Sequence, residues 1–151
     1  KPMKPSVSKS IQSPNPLRQQ LLDEVKKRIS AFRGRPVDIT KNNISAPAGI
    51  RGCEWVIVTR NSDCRAELAF RDKNTSKKYY KEMEKYKANI ENELGESLYW
   101  DFNSDRKDQY IKTVDKLFSE ISGNLEEVIN YLVERMSKFM SVVGHYWDKV
   151  K

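Results

Sequence analysis

The sequence is short of the side chains that enzymes most often use for catalysis. Among its 151 residues it has one histidine, His145, and two cysteines, Cys53 and Cys64. Two cysteines are too few for a disulfide scaffold or a structural zinc site, so we expect free thiols and an intracellular, cytoplasmic protein. The six glycines are scattered, and no Gly-rich phosphate-binding motif occurs. We therefore assign no catalytic residue, no metal ligand and no cofactor.

Long apolar runs and early acidic residues are also absent. No apolar run approaches the ~20 residues of a membrane-spanning helix, so we expect no membrane partner. The first acidic residue is Asp23, and the four bases before it supply more than half of the net charge of +7. Residues 1–14 are predicted to be a linker or a disordered basic tail, followed by a single α+β domain over residues 15–151. Because the chain starts at Lys1 and not at Met, we expect a domain of a longer protein or a processed product.

Apolar residues at helical spacing predict three main helices. One covers about residues 16–32, and a second runs from about residue 75 to Gly95, which ends it. The last and longest helix begins after Asn124, its predicted N-cap, with Glu127 at the capping-box position.

Strict alternation of apolar residues predicts a β-hairpin in the middle of the chain. It covers residues 54–59 and 65–71, with a turn near Asn61-Ser62-Asp63. Folding about that turn keeps Cys64 away from Cys53. Both faces of the first strand are apolar, so we expect a central strand that is covered on both sides.

The remaining segments carry weaker patterns. Residues 98–102 alternate as a further strand, whereas residues 108–117 fit a strand or a helix nearly equally. Residues 37–40 fit a short strand, and residues 45–49 are typical of a loop. Together these elements predict an α+β fold, in which an antiparallel sheet of about four to five strands packs with three main helices.

Basic residues cluster around the hairpin and at the start of the second predicted helix. The candidates for contacts with nucleic-acid phosphates are Arg51, Arg60, Arg65, Arg71, Lys73, Lys77, Lys78 and Arg106. A helix N-terminus beside such a cluster would attract phosphates further. The alternative is an ordinary charged surface, balanced by Glu54, Glu67 and Asp72.

Two other functions remain as alternatives. A metal-dependent hydrolase needs carboxylates that hold the ion and a lysine that orients water. Asp101, Asp105 and Lys107 come closest to this arrangement in the sequence, although the polar residues around Asp105 favour a solvated turn. A protein-interaction or dimerisation module would instead use the far end of the last helix, giving a homodimer, because we expect Trp147 and Val150 to extend beyond the core.

Several short motifs occur in an order that is typical of one protein family. Residues 65–70, R-A-E-L-A-F, are similar to a strand written R-V-E-L-Y-I, and residues 87–100 fit the pattern K-x-x-I-E-x-x-x-G-x-x-L-x-W. Arg106 matches an arginine that follows this tryptophan, and residues 49–52 match a glycine-bounded turn. Over about residues 17–150 the chain thus resembles domain-of-unknown-function family 4268.

The resemblance implies a bacterial or archaeal domain, without an agreed activity, that often follows a restriction-endonuclease-like domain. It also implies a strand over residues 108–114, whereas residues 115–124 depart from the family pattern toward a helix. We therefore expect a non-catalytic accessory domain of a nuclease-like, DNA-associated protein, with an upstream nuclease-like domain as partner. Its binding of nucleic acid would be salt-sensitive, with little sequence discrimination.

Overall fold

A computed structural model describes residues 16–37 and 43–151 of the chain. The helices in these residues are α1 (Pro16–Arg28), a 3-10 helix (Ser30–Phe32), α2 (Ser76–Glu84), α3 (Lys87–Leu94), α4 (Phe118–Ile121) and α5 (Leu125–Val150). The strands are β1 (Asn43–Pro47), β2 (Cys53–Thr59), β3 (Asp63–Phe70), β4 (Leu98–Asp101), β5 (Gln109–Thr113) and β6 (Lys116–Leu117). The predicted α+β class, with an antiparallel sheet and a long C-terminal helix, is confirmed.

All of these strands belong to one antiparallel sheet of order β1-β2-β3-β5-β4, and β6 pairs with the start of β3. Strand β3 is the centre of the sheet, since it pairs with β2, β5 and β6. The β2–β3 turn closes where Arg60 N donates to Asp63 O at 2.8 Å, directly after the pair Thr59 and Cys64. The predicted hairpin is therefore confirmed.

Within residues 16–37 and 43–151, helices cover one face of the sheet. On β2, the side chains of Trp55 and Ile57 are buried on that face, whereas Glu54 and Val58 on the opposite face are only half-buried. On this opposite face, Val56 is the one residue of β2 that is buried, between its register neighbours on β1 and β3. In the described part of the chain, the expectation that β2 is covered on both sides is therefore wrong, because charged side chains and not a second layer of helices lie over that face.

Helix α5 supplies the largest part of the helical core. Its buried residues recur at helical spacing: Val128, Ile129, Leu132, Met136, Phe139, Val143, Tyr146 and Trp147. The Phe139 ring packs edge-on against Trp55 with 6.0 Å between centroids, and Trp147 packs in the same way against Phe70 at 5.6 Å. No helix in the described residues, α5 included, is both long and apolar enough to cross a membrane.

A polar cap defines the start of α5. Asn124 Oδ1 accepts from the backbone N of Glu126 at 2.8 Å and of Glu127 at 3.3 Å, which confirms the predicted N-cap. The Glu127 carboxylate, predicted to complete a capping box, accepts instead from the Ser122 hydroxyl at 3.2 Å. That hydroxyl in turn accepts from Asn124 N at 3.0 Å, so Ser122 bridges the two groups.

A glycine and a carboxylate form the corner between α3 and β4. Gly95 ends α3 with a φ of 80°, a conformation that residues with a Cβ rarely adopt. Glu91 Oε2 accepts from Leu98 N at 2.7 Å and from Trp100 Nε1 at 3.1 Å. These residues belong to the pattern K-x-x-I-E-x-x-x-G-x-x-L-x-W, so this pattern specifies a structural corner.

Two predicted helices are shorter than expected. The first ends at Arg28, because Ile29 adopts an extended backbone with φ −117° and ψ 112° before the 3-10 helix begins. The second is broken between α2 and α3. At that break the Tyr86 ring lies against Tyr146 of α5, with 5.2 Å between centroids, so packing against α5 outweighs a continuous helix.

Two uncertain segments form strands. Residues 45–47, predicted as part of a loop, lie in β1, which is an edge strand and therefore accepts a terminal proline. Gln109–Thr113 is β5, as the family resemblance implied, and Phe118–Ile121 is a short helix in the segment that departs from the family pattern. The predicted linker 1–14 and three of the four residues of the short strand predicted at 37–40 lie outside the described residues.

Candidate functional site

The helix-free face of the sheet is a concave polar groove with a volume of about 890 Å³. We call it the open groove. Its charged and aromatic lining residues are Arg35, Glu54, Arg65, Glu67, Arg71, Asp101, Arg106, Lys107, Asp108, Tyr110 and Lys112. Six of these are cations and four are carboxylates, so the lining is positive overall. Strand alternation explains the six of these residues that lie on strands, because each second residue of β2, β3, β5 and β4 points away from the helices. The other five lie in the segments that connect the elements.

Glu67 is the most deeply buried charged residue of the open groove. It is 3% exposed and lies in the middle of β3, opposite Val56 of β2 and Lys112 of β5. Its Oε2 accepts from Arg65 Nε at 2.5 Å, and Arg65 Nη1 also donates to Asp115 at 3.3 Å. A buried carboxylate without a partner is strongly destabilising, so Glu67 at this position requires the Arg65 guanidinium beside it.

Arg71 is held by two carboxylates and a phenol. Its Nε donates to Glu54 at 2.8 Å, and its Nη1 donates to Asp108 at 2.9 Å and to the Tyr110 hydroxyl at 3.3 Å. Burial lowers the pKa of Arg71, but Tyr110, Glu54 and Asp108 together outweigh burial and raise it. The guanidinium is therefore both charged and fixed in position.

Arg106 and Lys112 share one carboxylate. Arg106 Nη2 donates to Asp101 Oδ1 at 2.9 Å, and Lys112 Nζ lies 3.0 Å from Asp101 Oδ2. Burial raises the pKa of Asp101, but hydrogen bonds and charge from these two cations outweigh it and hold the pKa below its ordinary value. Arg106 Nε also donates to the carbonyl of Asp108 at 2.6 Å, which fixes the loop between β4 and β5.

Each of three arginines keeps one terminal nitrogen out of these contacts. Between described residues, the hydrogen bonds of Arg65 and Arg71 use Nε and Nη1, and those of Arg106 use Nε and Nη2. A guanidinium offers five N–H donors in one plane, so the remaining terminal nitrogens carry donors that these contacts do not use. The open groove thus combines fixed cations with spare donors.

The predicted phosphate contacts are distributed over several places. Arg65, Arg71 and Arg106 line the open groove, whereas Arg60 lies in an adjoining depression. Exposed residues outside the groove lining are Arg51, Lys73, Lys77 and Lys78. Two of the balancing carboxylates, Glu54 and Glu67, do pair with groove arginines, whereas Asp72 Oδ1 accepts from the backbone of the next turn.

The predicted phosphate contacts leave out three cations of the groove: Arg35, Lys107 and Lys112. Lys107 was named only for the alternative hydrolase site. Lys112 had a usable signal, since it alternates with Ile111 and Thr113 once the segment is taken as a strand. Arg35 had none, because it follows the 3-10 helix and reaches the groove only through the tertiary fold. There its Nε donates to the Ser45 carbonyl at 3.0 Å.

The residues of the alternative hydrolase site have different surroundings. Asp101 is engaged by two cations, and Asp105 is exposed in a turn in which its backbone N donates to Asn103 Oδ1 at 2.9 Å. Lys107 Nζ lies 3.4 Å from Asp108 Oδ1. Within residues 16–37 and 43–151, no group of three or more His, Cys, Asp or Glu side chains could hold a metal ion.

Both thiols are free and buried, as expected from the sequence. Burial, with a smaller contribution from nearby carboxylates, raises the pKa of Cys53 to about 11 and that of Cys64 to about 12. Thiolates are the reactive form, so neither cysteine has the character of a nucleophile. His145 is exposed on α5, where its ring packs edge-on against Tyr146 at 5.1 Å between centroids.

The end of α5 packs on the core. Trp147, expected to extend beyond the core, is 1% exposed, and its Nε1 donates to the carbonyl of Ala48 at 2.6 Å. Val150 is half-buried. The expected overhang of Trp147 is therefore wrong, because the segment after β1 accepts its indole N–H. Dimerisation through this helix stays a prediction.

The fold and the site define a class of protein: an α+β domain whose antiparallel sheet has one face covered by helices and one face open as a charged groove. The chain belongs to the family described as Domain of unknown function (DUF4268), whose sequence profile matches residues 17–147. The resemblance that the motifs indicated is thereby confirmed. No curated protein and no solved structure matches the chain.

Proposed function

We propose that this chain is a non-catalytic accessory domain that binds nucleic-acid phosphates through the open groove. The observation that supports it is the row formed by Arg65, Arg71 and Arg106, each fixed by a carboxylate and each with a terminal nitrogen left over. Planar guanidinium donors match phosphate oxygens. Because phosphates are the same at every nucleotide, such contacts provide affinity with little base discrimination.

The carboxylates of the groove set the expected strength of binding. They neutralise part of the positive charge, so the attraction for a polyanion is moderate and falls as salt screens it. We expect dissociation constants on the order of 10⁻⁶ to 10⁻⁴ M near physiological salt, as for sequence-independent binding. The net charge of +7 and the exposed cations outside the groove add long-range attraction.

The nuclease-associated role is a separate part of the proposal and follows from the family resemblance. It is tested by reading the coding sequence upstream of Lys1. A carboxylate–lysine nuclease core encoded there would support the role. An upstream region that encodes no such domain would remove the role and leave phosphate binding to be tested by itself.

Phosphate binding is tested by fluorescence anisotropy with a labelled oligonucleotide at about 50 mM and about 200 mM salt. The groove variant Arg106→Gln/Lys107→Gln removes two charges from the lining. The matched control Lys87→Gln/Lys138→Gln removes two exposed charges from α3 and α5, on the helical side of the sheet. Circular dichroism checks that each variant is folded.

We expect the groove variant to bind about ten-fold more weakly and to lower the salt slope by roughly one to two units. The control should stay within about two-fold of the wild type. Absence of binding at low salt would overturn the proposal. Equal losses in the two variants would also overturn it, because they would show attraction by net charge and not by the groove.

A further inference from the structure

A second depression adjoins the open groove beside the outer strand β4. Its volume is about 550 Å³, and it shares Arg65 and Lys112 with the open groove. We call it the side depression, and its lining residues are Arg60, Arg65, Leu98, Tyr99, Lys112, Thr113, Val114 and Asp115. The two shared cations make the groove and the depression one continuous surface.

The side depression contains most of the exposed large apolar side chains. In the described parts of the chain these are Tyr99, Val114 and Leu117, and the first two line the depression. Tyr99 is 57% exposed, and it lies opposite Lys112 in the β4–β5 register. The Lys112 ammonium lies over one face of the Tyr99 ring, 5.5 Å from its centre, so a cation and an accessible aromatic ring are direct neighbours.

This pairing of an accessible ring with a cationic groove fits a single-stranded nucleic acid. Its phosphates would follow the guanidinium groups, and an unpaired base has a free face that can stack on a phenol. In a duplex both faces of each base are already stacked, so the ring would gain no base contact. A polyphosphate has no bases at all.

We propose that Tyr99 is the base-stacking platform of this site and that the domain binds single-stranded nucleic acid in preference to duplex. The inference rests on the proposed phosphate binding and adds the class of ligand. The ring belongs to a short strand whose neighbouring residues Leu98 and Trp100 are anchored by Glu91, so the backbone that carries the ring is held in place before a ligand arrives. A preformed platform loses little conformational entropy when a base stacks on it.

The test compares four probes by competition against one labelled single strand of about 16 nucleotides. The probes are the unlabelled strand, its duplex, an abasic strand of the same length and inorganic polyphosphate. Tyr99→Ala removes the ring, and Tyr99→Phe keeps the ring without the hydroxyl. Leu117→Ala is the control, since Leu117 is exposed but does not line the depression.

We expect Tyr99→Ala to weaken binding of the single strand by about five-fold to one-hundred-fold and to leave the abasic strand and polyphosphate within about two-fold. Tyr99→Phe and Leu117→Ala should bind like the wild type. A duplex that binds as tightly as the single strand, or an equal loss for the abasic strand, would overturn this inference while phosphate binding stands. If no probe binds at low salt, the proposed function itself fails.

Discussion

The two faces of the sheet are made by the same strands and are stabilised in different ways. On the covered face, Trp55 and Phe70 pack against rings of α5, and apolar burial of this kind contributes ~25 cal/mol per Å². On the open face, Arg65 and Glu67 hold one another, and a buried ion pair contributes about as much as an apolar replacement of the same size. The open face carries many charges, and we expect these charges to contribute little to stability. We therefore expect a ligand to bind on this face.

The largest expected effect is on the covered face. Phe70→Ala removes a ring that is fully buried and packs edge-on against Tyr80 and Trp147. We expect it to lower the free energy of unfolding by about 3–5 kcal/mol, measured by urea denaturation. Val58 is half-buried on the open face of the neighbouring strand β2, and Val58→Ala should lower the free energy of unfolding by less than about 1.5 kcal/mol. Equal losses would show that the two faces do not differ in this way.

The central ion pair of the open face should behave as one unit. Arg65→Met leaves the Glu67 carboxylate buried without its partner, so we expect a loss of about 2–4 kcal/mol. The double variant Arg65→Met/Glu67→Leu should recover most of that loss, because it removes both charges together. Urea denaturation of Arg65→Met, of Glu67→Leu and of the double variant gives the coupling energy. Additive losses would contradict a paired role for these residues.

Asp101 should stabilise the fold in a pH-dependent way. Its pKa is held below its ordinary value of 3.8, so its pairs with Arg106 and Lys112 are complete above that value and are lost as the pH falls through the folded-state pKa. We expect Asp101→Asn to cost about 1–2 kcal/mol at neutral pH, with a difference from wild type that shrinks in acid. Denaturation curves from about pH 7 to about pH 2 measure it, because the loss begins near the ordinary value of 3.8 and is completed only below the lowered folded-state pKa.

Asp105→Asn is the control for this pH dependence, since Asp105 is exposed in a turn. Its difference from wild type should stay near zero across the acid range. If the Asp101 variant shows a constant difference instead of a shrinking one, the assigned ion pairs do not account for the stability.

The smallest expected effect is at the edge of the open face. Tyr99 is exposed, so Tyr99→Ala should change the free energy of unfolding by less than about 1 kcal/mol. Thermal and urea denaturation measure this change directly. A larger loss would mean that the ring is part of the core. The open face would then not extend as far as β4.

The covered face was predictable because its signals are local. The alternation along β2 and β3 and the stripe along α5 each repeat within one segment, and Asn124 marks where the stripe begins. The break between α2 and α3 had no such signal. It lacks glycine and proline, and it arises because Tyr86 packs against Tyr146 far along the chain.

The open groove could be predicted only in part. Arg65, Arg71 and Arg106 were identified as basic residues, but their grouping depends on the strand order, which places β5 and not β4 beside β3. Val56 and Val58 make the open face of β2 apolar in sequence, which led to the prediction that both faces are covered. Nothing in the local sequence shows that the described helices pack on the other face. Two apolar residues of the described strands, Val56 and Ala69, are buried on the open face among charged neighbours.

The central position of β3 also determines how the chain reaches this structure. Its pairing with β2 joins residues next to one tight turn, whereas its pairing with β5 joins Glu67 to Lys112 across α2, α3 and β4. Closing a loop of that length costs entropy before the strand contacts that offset this cost can form. Such topologies fold more slowly than helical bundles of equal size. The folding rate of this domain is thus limited by the pairing of its central strand, β3, with β5, which comes much later in the chain.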